Sequence, residues 1–339
     1  MVLRIRSLRR LGIATLALLL AAGPATATTV LKIATLAPEG TAWMREMRAA
    51  ADAVTTRTEG RVEFKFYPGG VMGNDATVLR KIRVGQLQGG AFTSSELASV
   101  YPDTMIYGLP FLFRTQAEVD AVRARMDPLI AQGLAERGLV AAGITGGGFV
   151  YLLSTRPIRG REDLAQAKAW VPQGDVISEV TYAVAGVNPV PLSIADVYTG
   201  LQTGLVDTVA NTPSGTLAFQ WHTRVRHLVD MPIAYVIGVL AFDKRAFERI
   251  DAADREIALA EFQTAVGRLD EQTRRDNEAA REALRAEGIE FFEPADDELA
   301  YWRSVGDRSA EELRRRESFT EANYEAMMAA LAQARAGGK

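Results

Sequence analysis

The chain has 339 residues, 48% of them hydrophobic and 24% charged, with a formal net charge of −3 and no cysteine. A chain of this length buries one or two sizeable cores and favours two domains. Lack of cysteine excludes disulfides and thiolate metal sites. The acidic balance, about −7 once the four arginines of the first 27 residues are discounted, argues against nucleic acid as a partner.

Those first residues predict a secretory signal peptide over residues 1–27. Arg4, Arg6, Arg9 and Arg10 give a positive start, and an apolar run from Leu11 to Ala22 follows. Small residues at Ala25 and Ala27 fit cleavage after Ala27. The apolar run falls short of the roughly 20 residues a transmembrane helix needs. No later run is long enough to span a bilayer, so the mature protein is expected to be soluble and exported, without direct membrane insertion.

Val30 to Thr35 alternates and is rich in β formers, which predicts a strand. Pro38-Glu39-Gly40-Thr41 is a turn ending in a helix-starting threonine. Ala42 to Arg57 has helical spacing, with Trp43, Met47, Ala50 and Val54 on one stripe. Arg61 to Phe66 reads as a strand, Asp75 to Val84 as a helix and Gly89 to Thr93 as a strand. This alternation predicts an α/β fold with a largely parallel sheet. Tyr107 to Phe113 (YGLPFLF) is apolar, yet its central proline excludes an ordinary central strand. It is either a core crossing or a cleft wall.

Further on, Gly138 to Ile144 and Gly148 to Ser154 read as two glycine-punctuated strands. Ile158 to Ala167 and Ile177 to Val184 read as helices, and Pro189 to Leu192 as a strand. Ser193 to Thr203 reads as a helix opened by a serine cap with Asp196 three residues on, and Val206 to Ala210 as a strand. Ala252 to Glu287 reads as a long, charged, alanine-rich amphipathic helix, continuous or with one break. A short strand lies at Ile289 to Phe292, and the rest is helical until a frayed end at Ala336 to Lys339.

Catalytic and metal signatures are weak. The only histidines, His222 and His227, are five apart and do not share a helix face, unlike a helical zinc pair. Gly146-Gly147-Gly148 lacks the spacing of a phosphate cradle and opens no helix. There is no nucleophile elbow. No enzyme chemistry, cofactor or metal is therefore expected. The charged run from Glu311 to Glu317 reads as a solvated helix face.

Several stretches, in order, resemble the periplasmic solute-binding proteins of tripartite ATP-independent periplasmic (TRAP) transporters, the DctP-like family. They are FYPGGVMGNDATVLRKIRVGQLQGG, YGLPFLF, STRPIRGREDLAQAKAWVPQGD and, most specific, PLSIADVYTGLQTGLVDTVANTP. The resemblance implies a two-lobed, type II-like α/β binding protein that closes round a small-molecule ligand and docks on membrane subunits of the transporter. A long helix would span both lobes. Residues 28–147 plus about 236–275 would form the first lobe, residues 148–235 plus about 276–332 the second, and residues 333–339 a frayed tail.

The resemblance also places the site. Where the family carries an arginine that forks onto a ligand carboxylate, this chain has Trp170. A second position that is often basic falls near Val150, also apolar here. Indole has one donor and a large apolar face, whereas guanidinium has five donors in a rigid fork. The expected ligand is thus hydrophobic or aromatic, with Trp170, Phe92, Phe111, Phe149 and Tyr151 around it. Thr93 and Ser94, with Ser95 and Glu96, would meet a polar head. Glu39 would edge the cleft, and Gln173 and Asn211 would also touch ligand. Two alternatives stand: an organic-acid receptor with a relocated clamp drawn from Arg156, Arg159 or Lys168, and a periplasmic enzyme or ligand-relay protein on the same scaffold. Trp170 itself is either a site floor or lobe core.

Overall fold

The computed structural model describes residues 28–337; the predicted signal peptide lies outside them. The first lobe begins with β1 (Thr29–Thr35), α1 (Ala42–Arg57), β2 (Val62–Tyr67), α2 (Asp75–Arg83), β3 (Gly89–Thr93), a one-turn α3 (Ser94–Leu97) and α4 (Gln116–Glu136). Thr41 caps α1, its Oγ1 accepting from the Met44 N–H at 3.3 Å, and Asn74 caps α2 in the same way. The buried stripe of α1 is Met44, Met47, Ala50, Ala51 and Val54. Trp43 sits beside that stripe rather than on it, edge-on to Phe66.

The chain then crosses between lobes on β4 (Leu139–Ser154), builds α5 (Arg161–Ala165), β5 (Trp170–Pro172), α6 (Val176–Val184), β6 (Val190–Leu192), α7 (Val197–Thr203), β7 (Thr208–Asn211) and α8 (Pro213–Ala218), and returns on β8 (His227–Asp243). After a short α9 (Lys244–Phe247) comes α10 (Ala252–Ala286), then β9 (Glu290–Phe292), α11 (Asp296–Arg315) and α12 (Glu321–Gly337). The main sheet has the order β2-β1-β3-β8-β4-β7, with β9 beside β8; β5 and β6 form a separate parallel pair.

The sheet is mixed rather than largely parallel. β2, β1 and β3 are parallel, but β8 runs antiparallel to both β3 and β4. The cause is the long return strand β8, which the sequence reading did not assign. The two glycine-rich segments expected as separate strands are one strand, β4, which absorbs its glycines as register shifts at 141/143, 146/148 and 150/152. Such bulges bend a strand without ending it. The first halves of the reading's middle helices also shorten: α5 covers only Arg161–Ala165, and a 3-10 turn precedes α7.

Three elements join the lobes: β4, β8 and α10. One end of α10 packs on α1 and the other on α8, so the long helix bridges both lobes without a break. Its polar side chains grip the strand crossing. Asp270 accepts from the Gly146 N–H at 2.7 Å and from Arg123 Nη1 at 2.8 Å. Arg123, 8% exposed, also donates to the Ile144 carbonyl. Asn277 donates to the Gly147 carbonyl at 3.1 Å and accepts from the Ser214 N–H at 3.1 Å. At Gly148, φ is +112°, and an added Cβ would lie 2.5 Å from Asn277 Nδ2.

The C-terminal helix α12 does not fray before Gly337. It packs on α4, with Met327 and Leu331 in the first-lobe core. Arg335 donates to Glu118 at 2.9 Å and to the Leu112 carbonyl at 2.8 Å. α11 packs on α6: Leu313 joins a core cluster that also holds Ile177 and Val180 of α6, and Trp302 and Val305 belong to the second-lobe core.

Two glycine substitutions should act in opposite directions. Gly148→Ala meets a disfavoured φ and a fixed amide, and should cost about 1–3 kcal/mol. Gly267→Ala lies in the interior of α10 with nothing near its added methyl and should gain about 0.5–1 kcal/mol. Denaturant midpoints of the two variants check the signs.

Candidate functional site

An open cleft with a cavity of about 230 Å³ lies where the lobes meet. β3 and α3 reach it from one side, β5 and α6 from the other. The crossing strands form its back, through Val150, Leu152, Ile233, Ala234 and Val236. Tyr107 to Phe113 turns out to be both things its sequence allowed. Tyr107, Leu109 and Phe113 are buried in the first-lobe core, while Pro110 and Phe111 line the cleft.

Phe111 is held there by backbone geometry. Its φ is +56°, a region that disfavours a bulky side chain, and its N–H donates to the Ile233 carbonyl at 2.9 Å. Gly306 of α11 lets this loop approach: a Cβ there would sit 2.7 Å from the Pro110 carbonyl. The Phe111 ring lies 6.4 Å from Trp302, and both face the cleft.

Trp170 is packed as lobe core, the second of its two readings. It is 4% exposed and belongs to a second-lobe core cluster with Trp221. The two indoles meet edge to face at 5.3 Å. Its Nε1–H donates to the Leu192 carbonyl at 3.0 Å, which leaves no donor for a ligand. Trp170 nevertheless counts among the residues that line the cleft. What Trp170 offers there is apolar surface alone.

Of the other expected contacts, Thr93, Ser94, Phe111 and Asn211 line the cleft with Trp170, and so do Ser95, Glu96 and Val150. The rest fall outside the lining. Phe92 is 4% exposed and points into the first-lobe core, because side chains alternate along β3. Phe149 packs on Tyr235 at 5.2 Å. Tyr151 turns to Arg281, whose guanidinium lies 5.0 Å from its ring. Glu39 is exposed and paired with Arg48 at 2.6 Å. Gln173 is exposed, its backbone N–H bonded to the Leu192 carbonyl.

The cations resolve similarly. Arg156 lies 3.5 Å from Asp207, and Lys168 donates to the Gly204 carbonyl. Only Arg159 among the lining residues carries positive charge, and its side chain is exposed. Asp207 is structural, accepting from the Lys168 N–H and the Thr208 hydroxyl. Asn211 brings an open donor: its Oδ1 accepts from the Thr212 N–H, while Nδ2 is buried without a partner among the described residues.

Three carboxyls line the cleft: Glu96, expected there to meet a polar head, and Asp75 and Asp175, which no sequence signal marked. Asp75 opens α2 and is 4% exposed. Burial, reinforced by the charge of Glu96, pushes its carboxyl up to about 8. Burial also raises Glu96, with Asp175 adding to the effect. Asp175 caps α6, accepting from the Ser178 N–H at 3.2 Å and hydroxyl at 3.0 Å, yet burial still raises it. Asn74-Asp75 was readable as a helix start, but nothing local indicated that Asp75 would face a cleft.

A two-lobed α/β protein with a solvent-open, ligand-sized cleft at its crossing strands belongs to the class of solute-binding receptors, since clefts between domains are preferred small-molecule sites. Residues 33–316 match the family model described as bacterial extracellular solute-binding protein, family 7, named DctP. The chain belongs to that family, and its members are receptors rather than enzymes. It is 27% identical over 169 residues to a solute-binding protein of Chromohalobacter salexigens, a match covering 49% of this chain and 50% of that one. It is 23% identical to the C4-dicarboxylate-binding periplasmic protein DctP of Rhodobacter capsulatus, over 73% of this chain and 75% of that one. The aligned part thus spans half of the first relative and three quarters of the second.

Among solved structures, a TRAP periplasmic solute-binding protein from Desulfovibrio salexigens with bound orotic acid superposes with a TM-score of 0.84 at 19% identity, over 91% of this chain and 100% of that one. One from Xanthobacter autotrophicus with bound β-D-galacturonate gives 0.82 at 22%, over 89% and 99%. These likenesses establish the two-lobed fold. No helix among the described residues is long and apolar enough to cross a membrane.

The raised carboxyl of Asp75 fixes the sign of a pH effect. The unfolded chain releases this proton near pH ~4 and the folded chain near pH ~8, so folding loses stability as pH climbs between them. Asp75→Asn removes that loss. Its melting temperature should match wild type near pH ~4 and exceed it at pH ~8, by a difference worth about 1–3 kcal/mol.

Proposed function

We propose that this protein is the periplasmic receptor of a TRAP-type secondary transporter and that its solute is hydrophobic or aromatic. The signal-like first 27 residues support export to the periplasm, and family membership supports membrane subunits of a TRAP transporter as the docking partner. A ligand that prefers the closed arrangement of the lobes drives closure by that difference in affinity. One observation carries the solute class: the cleft is walled by Phe111, Trp170, Trp302, Met231 and the aliphatic crossing strands, with a single exposed guanidinium, Arg159. Burying a carboxylate without a charge partner costs several kcal/mol. The position where the family resemblance implies a forked arginine is an indole whose only donor is already used.

The organic-acid alternative keeps one specific support. Two structural neighbours hold orotic acid and β-D-galacturonate, and Arg159 is available as a relocated clamp. The two readings separate by experiment. Native mass spectrometry of the purified protein, followed by denaturing extraction, should release an apolar molecule. Arg159→Ala should leave its affinity within about twofold, as for a rim charge. Recovery of a sugar acid or dicarboxylate, with affinity falling by about tenfold or more in Arg159→Ala, would replace the apolar reading with the organic-acid one.

A further inference from the structure

We infer that the solute carries a protonated amine, held between the two lobes by Asp75, Glu96 and Asp175. This rests on the apolar-solute reading and adds the polar end of the ligand. The three carboxyls line one cleft, Asp75 and Glu96 on the β3 side and Asp175 on the β5 side. None is ion-paired among the described residues, although the same structure pairs many of its other carboxylates with arginine.

Asp75 gives the independent observation. It is 96% buried, faces the cleft, and its carboxyl accepts no hydrogen bond from any described residue. Its oxygens are not among the buried side-chain atoms left without a partner in the described residues; they open onto the cleft, where a donor that arrives with the ligand can reach them. The neighbouring Asp175 shows what satisfaction looks like here: it holds both the N–H and the hydroxyl of Ser178.

The arrangement favours an organic cation over a metal ion. No group of three or more His, Asp or Glu side chains among the described residues converges closely enough to hold one. An ammonium has three donors and can reach carboxylates on both sides while its apolar body lies against Phe111 and Trp302. It also acts on closure. Bringing Asp175 towards Glu96 sets like charges together, which disfavours the closed arrangement. A cation between them removes that repulsion and links the sides, whereas an anionic head would add to it. Arg159 is the one lining cation and lies on an exposed loop ahead of α5.

The test uses full-length mature protein and matched triplets of small arylalkyl and cycloalkyl probes, graded in size. Each triplet has an amine, the neutral alcohol and the carboxylate on the same skeleton, for example phenethylamine, 2-phenylethanol and 3-phenylpropionate. Thermal shift ranks them, and calorimetry measures the best triplet. The expected result is that the amine binds at least about tenfold tighter than either partner. Glu96→Gln, and Asp75→Asn with Glu96→Gln, should remove that advantage while leaving the alcohol's affinity within about threefold. The melting curves of the variants report folding separately. An alcohol that binds as well as its amine ends this inference and leaves the apolar-solute reading standing. A carboxylate that binds best ends both. No amine preference in any triplet, or an amine affinity unmoved by Glu96→Gln, also overturns it.

Discussion

The grip of α10 on the glycine crossing of β4 is the constraint on which the rest depends. Between Gly146 and Gly148 the pairing of this strand with β8 shifts register. Asp270 and Asn277 take its backbone groups there, and Arg123 brings α4 into the same cluster through Asp270 and the Ile144 carbonyl. A cluster of this kind is stabilising only while every member is satisfied, because loss of one partner leaves a buried charge exposed to apolar surroundings. The glycines are needed for closeness as well as for conformation. A Cβ at Gly146 would fall 2.2 Å from the Tyr235 hydroxyl, and one at Gly147 would fall 2.7 Å from a Val236 methyl. The lobes are thus joined by a tightly built seam, and the same two strands run on from it to form the cleft's back wall at Val150, Leu152, Ile233, Ala234 and Val236.

The cleft wall separates two kinds of surface. Aromatic and aliphatic groups from both lobes fill most of it, and the three carboxyls gather towards α2, α3 and α6. Their burial makes charge expensive there in the absence of a partner. Apolar walls strengthen any charge pairing that does form, because they lower the local dielectric. Trp170 fits this division. Its indole is engaged by the Leu192 carbonyl and by Trp221, so it supplies shape rather than polarity.

Much of this was legible in the sequence. Local signals were reliable: Thr41 and the helix after it, the strand Gly89–Thr93, and the extent of α10 stand where their spacing put them, and α10 runs without the break its length left open. The polar cleft residues Thr93 to Glu96 could be read because ligands gather beyond the carboxyl ends of strands in such sheets. β8 was missed because its apolar run contains Pro232 and lacks clean alternation. α4 was missed although Thr115 and Glu118 have capping-box spacing, with the Glu118 N–H on the Thr115 hydroxyl. Phe92, Phe149 and Tyr151 were misplaced for a different reason. Which face of a strand looks into a cleft depends on bulge positions, and three register shifts in β4 cannot be counted from glycines alone. The meeting of Asp75, Glu96 and Asp175 is tertiary throughout: the residues are far apart in the chain, and no local pattern announces it.

The C-terminal helix carries one more consequence. Arg335 holds the Leu112 carbonyl and Glu118, next to the loop whose tip places Phe111 in the cleft. This turn of α12 therefore braces the aromatic lip of the cleft from behind. A dye or a fused reporter attached just past this turn would sit at the far end of a short lever from the captured molecule, and ligand arrival would be readable as a change in its signal.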